Sequence, residues 1–203
     1  TNPDDLDKVR NRKSYYRGLV PDVPKSYARL LDGATLTLGG QAWRCIAGYG
    51  HAPEHMALYS QAQGILISGD MVLPRISTNV SVYEMEPEAD SLTLFLDSID
   101  RFVPLPQDTL VLPSHGKPFQ GLHTRVRQLH EHHRDRLAEV MAAAREQPVS
   151  AYDMLPVLFR RPLDLHQTTF ALGESVAHLH RLWHGGQLRR ERDSAGIWRF
   201  APG

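Results

Sequence analysis

The chain is poor in the features that usually narrow a function quickly. Cys45 is its only cysteine among 203 residues, so an internal disulfide is excluded and a reducing, cytoplasmic setting is expected. No apolar run approaches the roughly 18 residues of a membrane span, and no signal-peptide pattern is visible, so no membrane role is expected. Net charge is also absent. The 23 Lys and Arg balance the 23 Asp and Glu, which removes any overall electrostatic case for nucleic acid or lipid. Residues 1–30 carry 7 basic against 4 acidic side chains, 31–144 carry 8 against 13, and 145–203 carry 8 against 6. This mildly acidic centre between mildly basic ends reads as surface variation. The chain opens on Thr1, without an initiator methionine.

What is present fits a folded globular chain: 41% hydrophobic and 23% charged residues, enough for one large domain or one domain plus an appendage. A polar stretch, 4–18, predicts a surface helix broken by Pro21 and Pro24, and SYARLL (26–31) predicts a short helix or turn. From Ala34 the pattern changes to strands. ATLTLGG and QAWRCIAGY pair as a hairpin, followed by HMALYS and the nearly all-apolar GILISGD. Residues 71–88 hold two prolines and no clean period, and read as a loop. Leu92, Phe95, Leu96, Ile99 and Phe102 predict a helix over 89–103 capped by Asp90 or Ser91, and TLVLP predicts a buried strand. Gly121 to Glu146 is a long helix with Leu122, Val126, Leu129, Leu137, Val140 and Met141 inward.

A separate unit is expected from Ser150. Its predicted parts are a helix near 151–159 with a Ser150–Asp153 capping pattern, and a helix near 166–184 with Phe170, Leu172, Val176, Leu179 and Leu182 inward. A basic hairpin turning at DSAG follows. Domain limits of 1–147 and 148–203 follow, with the second unit winged-helix-like and docked on the first, because it is too small to bury much core alone.

Three side chains share one place in the local pattern. His51 lies in the Gly-rich turn of GYGHAPEH, Asp70 ends the strand GILISGD, and His115 follows the strand of TLVLPSHG. Ends of buried strands hold side chains rigidly while leaving a face open to substrate, which makes these three candidate metal ligands. GHAPEH resembles the third metal motif of the metallo-β-lactamase superfamily, SGD its fourth, and PSHG its fifth. The order, spacing and intervening helix are similar to that family over essentially the whole chain. LPRISTNVSV and the C-terminal unit resemble a subgroup that includes the lactamase-like protein 2 endoribonucleases.

The resemblance implies the C-terminal half of an αββα sandwich, an α/β fold, followed by the small winged-helix-like module. It also implies a hydrolase in which two ions, zinc or else manganese or iron, activate water against an ester, thioester or phosphodiester. In that scheme His51 completes one ion's ligands, Asp70 bridges the two ions and is the catalytic carboxylate, and His115 completes the second ion's ligands. The family's H-x-H-x-D-H cluster is absent. His130, His132 and His133 mimic it in HEHH but sit mid-helix, and read as a solvated face. The absent cluster and the missing initiator methionine lead us to expect a C-terminal fragment of a longer enzyme, inactive alone. A natural half-domain acting in binding or assembly is the alternative. Either way the apolar sheet face calls for cover, from a homodimer partner or from the N-terminal half.

The remaining candidates are weaker. His55 is placed to support a ligand, and Arg75 and Asn79 to line the substrate cleft beside Tyr83, Lys117 and Phe119. Arg189, Arg190 and Trp198, with Arg192 and Arg199, would form a nucleic-acid contact if the substrate is RNA.

Overall fold

The computed structural model describes residues 16–203, and the helix expected over 4–18 lies almost wholly outside them. Its described remainder is one turn, α1 (Tyr16–Leu19). Residues 26–31 are irregular rather than helical. They run past Asp32, whose carboxylate accepts from the Ala47 N–H (2.9 Å) and from Arg101 (2.6 Å), so side-chain bonds replace a local helix.

Five strands then form one sheet in sequential order: β1 (Thr35–Leu38), β2 (Gln41–Gly48), β3 (His55–Ser60), β4 (Ile65–Gly69) and β5 (Leu110–Pro113). The first four are antiparallel, as short turns require, and β4–β5 is parallel. The parallel step is made by a crossover through α2 (Ser91–Asp100), which Asp90 caps by accepting from the Thr93 N–H at 3.2 Å. Leu92, Phe95 and Ile99 recur at helical spacing and bury completely against Ile46, Tyr59, Leu66 and Val111 of the sheet. The opposite sheet face carries Met56, Leu58, Ile65, Leu110 and Leu112, all half-buried, and Ile67, 37% exposed.

A long helix, α3 (Leu122–Glu146), packs beside α2 and continues into the C-terminal unit. That unit comprises α4 (Leu155–Leu158), α5 (Leu165–His184) and the hairpin β6 (Leu188–Arg192)–β7 (Trp198–Pro202). The expected helix at 151–159 shrinks to one turn. Ser150 and Asp153 do bond reciprocally (2.8 Å, and 3.4 Å in return), but they close a turn ahead of α4. On α5, Phe170 is 41% exposed, while Ala171, His178 and Leu179 turn inward.

Two apolar clusters result. One lies under the sheet, and the other joins Val140, Ala144, Leu158, Leu179, Leu182, Leu188 and Phe200. α5 bridges them, since it touches α2 and α3 as well as β6. No described helix is long and apolar enough to cross a membrane.

Candidate metal centre

His51 is placed by the turn from β2 to β3. Gly50 sits there at φ +91°, and a Cβ on it would lie 2.4 Å from the Ser91 carbonyl oxygen, so only glycine lets α2 approach. Glu54, at φ +55°, takes the left-handed conformation without being glycine. Such a residue costs roughly 1 kcal/mol or more and persists where other contacts hold it. Here Arg29 holds its carboxylate with two donors, one at 2.9 Å. Beyond this turn the His51 Nδ1 meets the Asn79 carbonyl oxygen at 2.8 Å. A carbonyl only accepts, so Nδ1 carries the proton and Nε2 presents a lone pair. That lone pair faces Asp70 Oδ2 at 3.6 Å.

Asp70 follows Gly69 at the end of β4. Gly69 has φ +54°, and a Cβ there would lie 2.5 Å from the His55 ring. His55 uses that space to accept from the Asp70 N–H at its Nε2 (3.2 Å). Its proton is therefore on Nδ1, which is buried without a partner. Burial holds the His55 pKa below its usual value, with the neighbouring His51 adding to the effect. His55 thus orients Asp70 and has no free lone pair to offer an ion. Thr78 donates to the Asp70 carbonyl oxygen, and Ser114 donates to Oδ1 at 2.5 Å. His115, whose side chain is 68% exposed, brings Nε2 to 3.4 Å from the same oxygen.

The carboxylate of Asp70 thus has one imidazole nitrogen near each oxygen. Separations of 3.4 and 3.6 Å are too long for strong hydrogen bonds. They match two donors that each sit about 2.1 Å from one shared tetrahedral ion, which would lie about 3.4 Å apart. A lone pair facing a carboxylate is unfavourable with nothing between them, and either a proton on Nε2 or a bound cation relieves it. Imidazole and carboxylate donors, with one imidazole anchored through its far nitrogen, suit a zinc-type ion. Among the described residues, no group of three or more His, Cys, Asp or Glu is arranged to hold a metal ion. The site is therefore two donor pairs sharing Asp70, not a finished chelate.

A cleft of about 640 Å³ opens beside His115, lined by Pro74, Arg75, Ile76, Lys117, Pro118 and Phe119. Among the described residues Arg75 and Lys117 form no ion pair. A cleft of similar size between α3 and α5 lies away from these residues. Among the described residues, His51, Asp70 and His115 converge beside the first cleft, not the second.

Other expectations need correction. His133 is fully buried rather than solvated. It contacts His178 at 3.3 Å and the Phe95 ring edge-on, and burial drives its pKa down to about 3. His130 does reach the surface, bonded to Asp100 at 2.7 Å. Arg190 is committed internally, stacked between Trp183 (3.8 Å) and Trp198 (4.1 Å) and ion-paired with Glu88. With its side chain 9% exposed, it offers no free face to nucleic acid. Arg189 remains at the surface beside Glu191, and Trp198 is 37% exposed. Reasoning from sequence also missed Thr78, Ser114 and Glu174. Only Ser114 carried a signal, by standing next to His115.

These features agree with comparisons to known proteins. The family described as Metallo-beta-lactamase superfamily matches residues 2–115, and that described as Metallo-beta-lactamase-like, C-terminal domain matches 137–203. A solved beta-lactamase domain protein from Burkholderia ambifaria is 55% identical with TM-score 0.96, covering 100% of this chain and 58% of that one. A metallo-beta-lactamase family protein from Thermus thermophilus is 29% identical with TM-score 0.78, over 89% of this chain and 56% of that one. The Bacillus subtilis protein named "Probable metallo-hydrolase YqjP" is 26% identical over 146 residues, 70% of this chain and 44% of its own length. The chain thus spans little more than half of the solved relatives, and with its sheet, crossover helix and strand-end residues it belongs to the metallo-beta-lactamase superfamily.

Proposed function

We propose that the chain supplies part of the metal centre of a hydrolase, with His51 serving one ion, His115 a second, and Asp70 both. The observation that supports this reading is the single carboxylate flanked by two imidazoles, one anchored through its far nitrogen. When bound, such ions activate water for attack on a carbonyl or phosphoryl centre. The chain's own residues do the holding. Asn79 sets the His51 tautomer, His55 and Thr78 hold the Asp70 backbone, and Ser114 steadies its Oδ1.

The chain spans 58% and 56% of two solved relatives, so we assign the remaining ligands to sequence outside it. We assign the cover of the half-exposed sheet face to that sequence too, and expect the chain alone to be inactive. The cations Arg75 and Lys117 beside the cleft, unpaired among the described residues, favour an anionic ester, thioester or phosphodiester as substrate. The C-terminal helices and hairpin, winged-helix-like in order, act here as a brace rather than as a nucleic-acid reader.

Zinc uptake by the purified chain, measured by chelator competition, tests the ligand assignment. Asp70→Asn is expected to lower zinc affinity at least ~10-fold, more than His55→Gln. Equal uptake by the wild type and Asp70→Asn sinks the assignment.

A further inference from the structure

We infer that α5 of the C-terminal unit is a positioning element for the metal centre, acting through a latch of Gly173, Glu174, Ser81 and Asn79 that fixes the His51 imidazole. The inference rests on the ligand role proposed for His51 and extends it to a helix whose Glu174 lies 95 positions from Asn79 in sequence.

The latch consists of four contacts. The Val82 N–H donates to the Gly173 carbonyl at 3.2 Å, which ties the 79–82 segment to the helix. Gly173 lies so close to Ser81 that a Cβ on it would stand 2.6 Å from the Ser81 Oγ. That hydroxyl donates to Asn79 Oδ1 at 2.8 Å, and Asn79 Nδ2 points to Glu174 Oε2 at 3.5 Å. Both ends of the Asn79 amide are thus held from α5 or from a residue packed on it. The Asn79 backbone oxygen is then free to accept from His51 Nδ1. Further along, α5 holds the same loop at His180, which meets the Ala89 oxygen at 3.0 Å, and at His184, which meets the Glu88 oxygen at 2.9 Å.

Two features argue that the latch is more than packing. Glycine inside a helix is destabilising relative to alanine, so its presence in α5 needs a reason, and the Ser81 approach supplies one. Glu174 is a half-buried carboxyl whose side chain meets Asn79. Burial raises its pKa to about 7, so it costs the fold stability that an apolar residue would not. Its return is the orientation of Asn79. Imidazole ligands held through the second ring nitrogen bind metal roughly 10–100-fold better than unsupported ones.

The test uses two readouts on the whole chain. Long-range proton–nitrogen NMR of the metal-free chain reports the His51 tautomer, and chelator competition reports zinc affinity. The wild type should show the proton on Nδ1. Gly173→Ala and Asn79→Ala should give mixed tautomers and a ~10-fold weaker zinc site, while Glu174→Gln, which still accepts from Asn79, should stay within about twofold. Leu179→Ala loosens α5 without touching the latch. It should leave the tautomer unchanged.

If folded Gly173→Ala and Asn79→Ala keep the wild-type tautomer, the latch is overturned. It is overturned equally if Leu179→Ala shifts the tautomer as much. If Gly173→Ala does not fold, Asn79→Ala decides alone. A wild type that binds no zinc defeats the ligand assignment, and the tautomer readout still decides the latch.

Discussion

The cluster beneath the sheet and the crossing of α3 with α5 are both buried, and they are built in opposite ways. Beneath the sheet, Leu66, Phe95, Ile99, Phe102, Val111 and Leu122 are all fully enclosed and all apolar. At the crossing, His133 and His178 are enclosed side by side, and His133 Nε2 has no hydrogen-bond partner among the described residues. Apolar packing is strong and nearly directionless, so the first region sets layers and stability. Buried hydrogen-bonding groups cost more and tolerate fewer arrangements, so the second sets which turn of α5 meets which residue of α3 and of the 79–82 segment. The candidate site draws on neither alone: Asp70 and His115 stand at sheet ends, and His51 lies on a turn bonded to the Asn79 carbonyl oxygen.

The contrast is sharpest in stability. Phe95→Ala empties the apolar region and should cost roughly 3–5 kcal/mol in a denaturant titration, enough to threaten the fold. His178→Gln at the crossing should cost clearly less at neutral pH. Equal losses from the two substitutions would mean that the regions do not differ as described.

The second difference is in pH response. His133 and His178 are held well below the ordinary histidine value by burial, each lowered further by histidines nearby. Their contribution is complete above about 6.5 and is lost as pH falls below it, because the unfolded chain takes up protons that the folded chain refuses. Unfolding free energy should therefore drop between pH 7.5 and 5, and His178→Gln should flatten the slope. An unchanged slope would place the acid sensitivity elsewhere.

Glu174 behaves in the reverse sense and with a smaller effect. Its pKa is raised from 4.5 to about 7, so its share of stability is whole below 4.5 and lost as pH rises through 7. Glu174→Gln should be more stable than the wild type at pH 8, by on the order of 1 kcal/mol given its partial exposure, and nearly equal at pH 4. A gain at pH 4 as large as at pH 8 would rule out a charge effect.

Much of the sheet, and the convergence of His51, Asp70 and His115, was legible because each depends on local pattern. Apolar strands bounded by Gly-rich turns give β2 to β5, and polar residues within two positions of such a strand's end sit at the sheet's rim, Asp70 half-buried and His115 exposed. Errors arose where the pattern carried a polar letter. His133 lies on the same stripe as Val126, Leu129 and Val140, one turn after Leu129, and the HEHH spelling disguised a buried position as a wet one. Arg190 looked available because nothing nearby in sequence shows that Trp183 and Trp198 enclose it.

The amino-acid order thus settled the strands and the crossover helix, and it put Asp70 and His115 just past strand ends and His51 in a turn, because these placements follow from periodicities of a few residues. Tertiary structure alone decided that His55 would support Asp70 by accepting from its N–H, and that α5 would reach Asn79. Those outcomes depend on which lone pair is already used and on contacts between segments 15 and 95 residues apart. Side-chain direction across such separations is set by packing, and no local period encodes it.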